Sequence, residues 1–404
     1  MAGQGAAKDI SILDFTWFGV GPITTKYLAD NGANVVKIES NARLDGMRLA
    51  PPWKNATPDV NSSQGFGSFN SSKKSITLDM NKPESHDIVK RLVPHFDIVA
   101  ESFTPGNMAK WGLAYDDLCK LRPDIIALST CMQGQTGPHS RYAGFGNLMA
   151  SLSGFYYLSG YSEAEIAPPY GAYTDFVVPR LAAFALMGAL DYRRRTGKGQ
   201  HLDISQYEAS IHFLAPAIVD YMSSGNVMKP AGNRSQRYAP HGAYQCATND
   251  RGERWITIAV ANDHQWARML EVLGAVGEER FGGIVARLEL HDELDDYVQQ
   301  LVRGRDADQL TAALQAAGVA AYPVQSCLDL HSDENLLSFE FWPWLEQHDA
   351  GFMPYDGLSY RLDHTGSFQS AAPSLGQHTE EILGEILGMG SAEIDRLRER
   401  GVVN

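Results

Sequence analysis

The chain has 404 residues, more than one hydrophobic core usually serves, so we expect two domains. Its formal net charge of −14 argues against general binding to nucleic acid or to an anionic membrane, although a local group of basic residues could still hold an anionic ligand. The four cysteines, Cys119, Cys131, Cys246 and Cys327, form no CxxC pair. The sequence therefore indicates neither a disulfide framework nor a zinc site, and it predicts reduced, buried thiols.

Residues 1–9 are small and polar, without the charged and then apolar pattern of a signal peptide. No run of eighteen consecutive apolar residues occurs in the chain. We therefore expect a cytoplasmic protein with neither a membrane nor a nucleic acid as its partner.

Short apolar runs alternate with helical segments in the first 130 residues. A strand at 10–15, a helix at 23–31 and a strand at 33–39 form a βαβ opening, which predicts a parallel sheet. Later strands are predicted around 76–79, 97–101 and 125–129, with a helix at 83–92. The glycines near Pro22 do not have the GxGxxG spacing, and Pro22 lacks an amide that a phosphate could use, so NAD and FAD are disfavoured.

The stretch 169–179 leads into an apolar run at 181–190, which predicts a buried helix. Since proline fits best in the first turn of a helix, Pro179 places the predicted start near Val178. Asp175 would then lie just upstream, beside unpaired backbone N–H groups that favour its ionised form. The alternative is a capping or turn aspartate without chemistry.

The rest of the chain shows the best candidate for a domain boundary. A strand at 202–205 and a helix at 207–222 are followed by a linker at 223–241 that is rich in Gly, Pro and Arg. Beyond it, 242–325 has the alternating pattern of a small α+β domain.

The chain contains no GxSxG, HExxH or P-loop motif, so hydrolase and metalloenzyme interpretations lack support and no metal is expected. What remains is the Asp175 carboxylate, Gly-rich loops such as 134–137, and the basic residues Lys73, Lys74 and Lys110 at turns. Each of these lysines alone is more typical of a solvated surface charge.

A series of short segments forms a recognisable order along the chain. The segments are Gly21-Pro22, Leu28-Ala29-Asp30, Gly32-Ala33-Asn34-Val35-Val36-Lys37-Ile38-Glu39, Asn70 with Lys73-Lys74-Ser75-Ile76-Thr77-Leu78-Asp79, Glu101-Ser102-Phe103-Thr104-Pro105-Gly106, Gly134-Gln135-Thr136-Gly137-Pro138, Arg195-Thr196-Gly197-Lys198-Gly199-Gln200 and Leu375-Gly376-Gln377-His378-Thr379. Together they resemble the family III CoA-transferases, the group that also contains α-methylacyl-CoA racemase. The resemblance covers essentially the whole chain.

This resemblance implies an α/β fold with a Rossmann-like large domain built from both chain ends, 1–222 and 326–404, around a small α+β middle domain at 242–325. It also implies an interlaced dimer, either a homodimer or a heterodimer with a homologous subunit.

By the same resemblance, Asp175 is the catalytic nucleophile. Its carboxylate would attack an acyl-CoA thioester, and the released CoA would then form an aspartyl-CoA thioester that an acceptor acid resolves. No tightly bound cofactor is expected, because CoA and acyl-CoA are substrates. The residues implied in CoA binding are Asn70, Lys73, Phe103, Lys110, Trp111 and Gln135. The acyl donor is expected to be succinyl-CoA, with a larger acceptor acid such as benzylsuccinate.

Two short segments, 18–19 and 145–146, depart from the patterns of family members. Phe18-Gly19 stands where formyl-CoA transferases have Val-Gln, and Gly146 stands where the motif commonly has Asp. Phe145 lies in the segment where racemases carry a histidine, and a phenyl ring cannot move an α-proton. Two alternatives stay open: an acyl-CoA racemase or isomerase of the same fold, and a non-catalytic partner subunit of a hetero-oligomeric transferase.

Overall fold

A computed structural model describes residues 5–162, 165–363 and 369–403. The chain forms two compact units. The larger unit consists of the stretch up to Phe155 together with Pro169–Met222 and Asn335–Asn404, and the smaller unit consists of Tyr156–Pro168 and Ser223–Glu334. Residues 156–168 thus belong to the smaller unit, whereas the sequence placed them in the large domain.

The larger unit begins with alternating strands and helices. The elements up to residue 158 are β1 (Ser11–Phe15), α1 (Val20–Ala29), β2 (Asn34–Glu39), α2 (Gln64–Asn70), β3 (Lys74–Thr77), α3 (Pro83–Leu92), β4 (Ile98–Glu101), α4 (Asn107–Lys110), α5 (Tyr115–Leu121), β5 (Ile126–Cys131), α6 (Gly146–Leu152) and α7 (Phe155–Leu158).

The remaining elements continue in the same order. They are β6 (Gly160–Ser162), β7 (Glu165–Ile166), α8 (Tyr173–Thr196), β8 (His201–Ser205), α9 (Gln206–Ile211), α10 (Ala215–Ser224), β9 (His241–Gln245), β10 (Trp255–Ala259), α11 (Asp263–Leu273), α12 (Ile284–Glu289), α13 (His291–Val302), α14 (Ala307–Ala316), β11 (Ala320–Pro323), α15 (Cys327–Ser332), α16 (Glu334–Ser338), β12 (Trp344–Gln347), β13 (Gly351–Pro354), α17 (Thr379–Leu387) and α18 (Ser391–Glu399).

The larger unit is organised around a six-stranded sheet in the order β3-β2-β1-β4-β5-β8, in which every neighbouring pair is parallel. The inner strands are buried along most of their length, as expected when helices cover both faces of a parallel sheet. This sheet confirms the predicted α/β class. The chain moves outward from β1 to β3 and then returns to the other side of β1, which creates a switch point between β1 and β4.

The C-terminal segment completes the same core. Ile382, Leu383 and Ile394 are buried with the side chains of β2 and β3. The backbone is tied to that edge as well, because the N–H of His378 donates to the Ser75 carbonyl over 2.9 Å. Both ends of the chain therefore build the larger unit.

The smaller unit contains the antiparallel sheet β11-β10-β9. Its core joins the sheet to α11, α13 and α14 through side chains such as Ile258, Trp266 and Val298. This arrangement is α+β.

Helix α8 differs from the prediction at its start. It begins at Tyr173, so Pro179 lies inside the helix and Asp175 lies in the first turn. The predicted start near Val178 was wrong because helix α8 contains Pro179 in its second turn instead of its first. Pro179 has no N–H to donate to the Asp175 carbonyl four residues earlier.

Helix α8 is long and apolar enough to cross a membrane, but buried core helices of other proteins have the same length and composition. Here Val178, Ala182 and Leu186 are buried and the helix packs along α1. The thiols also differ from expectation, since Cys246 is buried whereas Cys327 is exposed.

Candidate active site

A cavity of about 350 Å³ opens at the carboxyl edge of the parallel sheet, next to the switch point between β1 and β4. The turns after β1, β4 and β5 form most of its wall, and α6, α8 and α9 each begin there. The lining residues are Trp17, Phe18, Gly19, Val20, Gly21, Arg43, Ser102, Phe103, Thr104, Asn107, Thr130, Cys131, Met132, Ser140, Tyr142, Ala143, Gly144, Phe145, Gly146, Asp175 and Gln206. Ligands of open parallel sheets bind at this edge.

Asp175 reaches the cavity from the first turn of α8, where the helix dipole favours a negative charge. Two glycines leave space for its carboxylate. A Cβ on Gly19 would lie 3.1 Å from Asp175 Oδ2, and a Cβ on Gly146 would lie 2.5 Å from Asp175 Oδ1. The carboxylate is thus held between two bare α-carbons from different turns.

Gln206 holds the carboxylate from a third side. Its Nε2 donates to Asp175 Oδ1 over 2.5 Å and to Thr174 Oγ1 over 2.8 Å. The Thr174 hydroxyl in turn donates to the Gly146 carbonyl over 2.9 Å. Since an ionised carboxylate only accepts hydrogen bonds, the amide nitrogen of Gln206 must face it.

Burial raises the pKa of Asp175 to about 6, and the hydrogen bond from Gln206 opposes that rise. No cation within the described residues forms an ion pair with this carboxylate. At neutral pH Asp175 is therefore ionised but poorly solvated. A carboxylate in this state is a better nucleophile than one fully hydrated in water.

The rim of the cavity is aromatic and carries one positive charge. Trp17 packs edge-to-face against Phe103 with ring centroids 5.8 Å apart, and the Arg43 guanidinium lies 5.0 Å from the Trp17 ring. Phe18 adopts a φ of 60°, a left-handed conformation uncommon for an aromatic residue. Of the lining residues, Asp175 and Arg43 are the two with side chains charged at neutral pH.

Three of the residues predicted to bind CoA lie at or near this cavity. Phe103 lines it, and Trp111 packs edge-to-face behind Phe103 at 5.3 Å. Lys110 is exposed and donates to Oδ1 of Asn107, which lines the cavity.

Asn70 and Lys73 lie elsewhere, in the buried interior. The Lys73 ammonium donates to Asp14 Oδ2 over 2.9 Å, to the Pro22 carbonyl over 2.9 Å and to Asn70 Oδ1 over 3.0 Å. All three of its protons are used, so in this geometry it has none for a phosphate. CoA binding by Asn70 and Lys73 stays a prediction, and the contacts of Lys73 do not favour it.

Gln135 lines a different cavity, of about 130 Å³, together with Glu101 and His201. Its side-chain amide donates to Glu101 Oε1 over 3.1 Å and its backbone N–H donates to Asp203. Burial raises the pKa of Glu101 to about 7. Gln135 therefore does not line the Asp175 cavity, although its side-chain amide also donates over 3.3 Å to the carbonyl of Phe103, which does. No group of three or more His, Cys, Asp or Glu side chains in the described ranges could hold a metal ion.

Comparisons with known proteins agree on one family. The sequence profile described as CoA-transferase family III matches residues 8–379. The chain belongs to the family III CoA-transferases. It is 30% identical over 401 residues to the succinyl-CoA–D-citramalate CoA-transferase of Chloroflexus aurantiacus, covering 98% of this chain and 97% of that protein. It is 29% identical to the succinyl-CoA–L-malate CoA-transferase alpha subunit of the same species, covering 98% and 92%.

The fold of this family III CoA-transferase matches a solved structure as well. A CAIB/BAIF family protein from Brucella suis superposes with a TM-score of 0.87 at 27% identity, covering 95% of this chain and 100% of that one. The expected family, the fold class and the assignment as a CoA-transferase enzyme are therefore confirmed.

The departures from the family pattern have a structural explanation in this CoA-transferase. Any side chain at Gly146 would collide with Asp175, so the aspartate common in the motif has no room here. Because residue 19 is glycine, the side-chain amide that formyl-CoA transferases have at this position is missing. Gln206 instead donates an amide hydrogen bond to Asp175 from another side. Phe145 lies 5.7 Å from Phe18, edge to face, as a rim residue.

Gln206 and Arg43 were not predicted from the sequence. Gln206 directly follows β8, and polar residues at the carboxyl end of a parallel strand are candidates for a site. That signal was present in the sequence. Arg43 lies in a long loop without regular periodicity, so nothing in its surroundings distinguished it from a surface charge.

Proposed function

We propose that this enzyme transfers CoA from succinyl-CoA to a dicarboxylic acid through an aspartyl-CoA thioester on Asp175. The names of the two Chloroflexus relatives, which act with succinyl-CoA and either D-citramalate or L-malate, support this substrate class. Benzylsuccinate, also a dicarboxylic acid, stays a prediction from the sequence.

The observation that carries the proposal is the state of Asp175. A carboxylate with a pKa near 6, exposed to a cavity and without an ion-pair partner in the described part of the chain, is ionised at neutral pH and available to attack. By contrast, a structural aspartate is usually paired with a cation or saturated with hydrogen bonds.

The proposed reaction has two symmetrical halves. The Asp175 carboxylate attacks the thioester carbonyl of succinyl-CoA and expels CoA thiolate, which leaves a mixed anhydride. The thiolate then attacks the Asp175 carbonyl carbon, releases succinate and leaves the aspartyl-CoA thioester. The acceptor carboxylate repeats these steps in reverse order. The first backbone N–H groups of α1, at Val20 and Gly21, have no intrahelical partner and line the cavity, where they can stabilise the oxyanion on the substrate.

Arg43 supports a substrate with a second carboxylate. Its guanidinium lies over the Trp17 ring and forms no ion pair with the residues that the structure describes. A guanidinium binds a carboxylate with two parallel hydrogen bonds, which an uncharged acyl tail cannot provide.

Trapping the covalent intermediate tests the proposal. The purified enzyme is incubated with succinyl-CoA and reduced with borohydride, and the peptide containing Asp175 is analysed by mass spectrometry. We expect a mass change at Asp175 and none without succinyl-CoA. Asp191→Asn is the matched control, because Asp191 lies on the same helix, is half-buried and pairs with Arg194 and Arg195. Trapping at another residue, or full activity in Asp175→Asn, would contradict the proposal.

The two alternatives are weaker. The comparisons do not favour a racemase, and Phe145 provides no base at the position that the racemase histidine would occupy. A non-catalytic partner subunit would show neither trapping nor acceptor-dependent turnover when purified alone, so the same experiment separates it from the leading proposal.

We also propose that the chain acts as a dimer, with itself or with a homologous subunit. The alpha subunit among its relatives belongs to a protein of more than one kind of subunit. On the larger unit, α8 exposes 79% of Phe184, and Met222 of α10 is 78% exposed. Native mass spectrometry of the purified chain would distinguish a homodimer from a monomer that needs a partner.

A further inference from the structure

The two oxygens of Asp175 have different surroundings. Oδ1 accepts a hydrogen bond from Gln206 Nε2 and lies against the α-carbon of Gly146. Oδ2 lies beside Gly19 and accepts no hydrogen bond from the residues the structure describes. One oxygen is therefore held, and the other is free to react.

The amide that holds Oδ1 is itself fixed in place. Gln206 is 4% exposed and is the first residue of α9, which Ser205 caps by accepting a hydrogen bond from the Glu208 N–H. Both protons of Nε2 are used, one on Asp175 and the other on Thr174, whose hydroxyl donates to Gly146. Rotating the carboxylate would break this connected set of hydrogen bonds. A fully satisfied buried network of this kind specifies one geometry.

We propose that Gln206 makes the two oxygens chemically distinct, so that Oδ2 attacks and is exchanged with substrate while Oδ1 remains on the enzyme. Gln206 then also stabilises the oxyanion that forms on Oδ1 whenever the Asp175 carbonyl carbon is attacked. This inference rests on the proposed aspartyl-CoA mechanism. It adds a role for Gln206 and states which oxygen of Asp175 is exchanged and which is kept.

The atoms balance as follows. Oδ2 bonds to the acyl carbon of the donor and the carbon–sulfur bond breaks, which releases CoA thiolate. The thiolate bonds to the Asp175 carbonyl carbon, and negative charge develops on Oδ1 within reach of Gln206. The bond from that carbon to Oδ2 breaks, so succinate leaves with the oxygen that came from the enzyme.

The second half restores the carboxylate with a new oxygen. An oxygen of the acceptor acid bonds to the Asp175 carbonyl carbon, again with negative charge on Oδ1, and CoA thiolate leaves. The thiolate then attacks the acyl carbon of the acceptor, and Asp175 departs with the acceptor's oxygen in the Oδ2 position. Each turnover thus replaces one oxygen, and it is always the same one if the carboxylate does not rotate.

Isotope labelling tests this directly. The enzyme turns over many times with unlabelled succinyl-CoA and an excess of malate whose carboxylates are fully labelled with oxygen-18, and the Asp175 peptide is weighed. We expect one heavy oxygen in the wild-type enzyme. In Gln206→Met, which keeps the side-chain volume but removes the donor, the carboxylate can rotate between turnovers, so we expect a second heavy oxygen to accumulate.

The same variant should lose about 10²-fold in kcat, the usual effect of removing one oxyanion donor, with a smaller change in KM. Gln133→Met is the matched control, because the hydrogen bond of the Gln133 side chain within the described ranges is a long 4.0 Å contact to the Met149 sulfur, and this variant should behave like the wild type. If Gln206→Met does not fold, Gln206→Asn provides a shorter amide that cannot reach Oδ1.

Two heavy oxygens in the wild type, or one in the Gln206 variant with unchanged kcat, would overturn the inference while leaving the aspartyl thioester intact. A heavy oxygen in the borohydride-reduced residue would also overturn it, because the aspartyl thioester keeps only Oδ1. Trapping together with an unreduced Asp175 peptide that carries no heavy oxygen would overturn it as well. Absence of both trapping and label would instead remove the proposed function, and the inference with it.

Discussion

Asp14 and Asp175 are two aspartates of the same unit with opposite surroundings. Asp14 is fully buried, forms a 2.9 Å ion pair with Lys73 and accepts hydrogen bonds from Thr16 and Thr25. Burial alone would raise the pKa of Asp14, but Lys73 beside it holds that pKa below its usual value. Among the described residues, Asp175 has one amide donor and no cation as partner, so the effect of burial is larger and the pKa of Asp175 rises to about 6.

The comparison shows that burial alone does not make a carboxylate reactive. The Asp14 charge is neutralised by its partners, and these contacts link β1, α1 and the turn before β3 into one structure. The Asp175 charge is left partly uncompensated, at some expense of stability, and faces a cavity. The first aspartate is suited to holding the fold and the second to chemistry.

The largest expected effect is the loss of turnover on removing the Asp175 nucleophile. Asp175→Asn preserves the shape of the side chain, so we expect it to fold and to lose at least about 10⁴-fold in kcat with succinyl-CoA and malate. Asp191→Asn should retain wild-type kcat. Residual activity within about tenfold of the wild type would mean that Asp175 does not form the covalent intermediate.

The next effect is on folding and concerns Asp14. Asp14→Asn leaves the buried Lys73 ammonium without its counterion, and we expect a loss of about 3–5 kcal/mol in the free energy of unfolding, measured by urea denaturation. The double variant Asp14→Asn with Lys73→Met should recover part of that loss. An unchanged urea midpoint in the single variant would show that the pair contributes little.

A smaller effect on stability is expected from Asp175, and its sign is opposite to that of Asp14: Asp175→Asn should raise the free energy of unfolding at high pH. The folded pKa of Asp175 lies near 6 and the unfolded pKa near 3.9, so the folded state holds its proton more tightly and stability falls as pH rises from about 4 through about 6. Above that range the penalty is at most about 3 kcal/mol. Asp175→Asn should therefore be more stable than the wild type at pH 8 and equal to it at pH 4, measured by thermal denaturation. Equal stability at both values would contradict this.

The smallest effect concerns Arg43. Arg43→Ala should lower kcat/KM for succinyl-CoA by about 10- to 100-fold, the worth of a charged hydrogen bond, and should leave butyryl-CoA, which lacks the second carboxylate, much less affected. Arg303→Ala, an exposed arginine of the smaller unit, serves as the control. Equal losses for both donors would assign Arg43 to the CoA portion instead.

Much of the fold could be predicted because it depends on local patterns. The apolar runs predicted β1, β2 and β4 to within a residue or two, and the helix at Pro83–Leu92 matches its predicted bounds. The start of α8 could not be predicted in this way. A helix that continues through Pro179 depends on tertiary contacts, and the local rule for proline points to a later start.

The site was predictable only in part, for a similar reason. Asp175 and Phe103 could be placed by resemblance to a known family, because both lie in recognisable segments. The contact of Asp175 with Gln206 joins residues separated by a helix and a strand, so it appears only when the strands are assembled. Lys73 shows the converse, because the family resemblance implied a role at CoA, whereas its three partners in the fold use all of its protons.

The close approach of Gly19 and Gly146 to Asp175 also limits which substitutions these two positions tolerate. Every amino acid that a mutated glycine codon can encode carries a Cβ, and a Cβ at either position would lie within about 3 Å of the Asp175 side chain. Most such changes would displace the nucleophile even if the protein still folded. In the packing of this chain both codons are therefore restricted by the position of Asp175, although neither glycine contributes a side chain to the reaction.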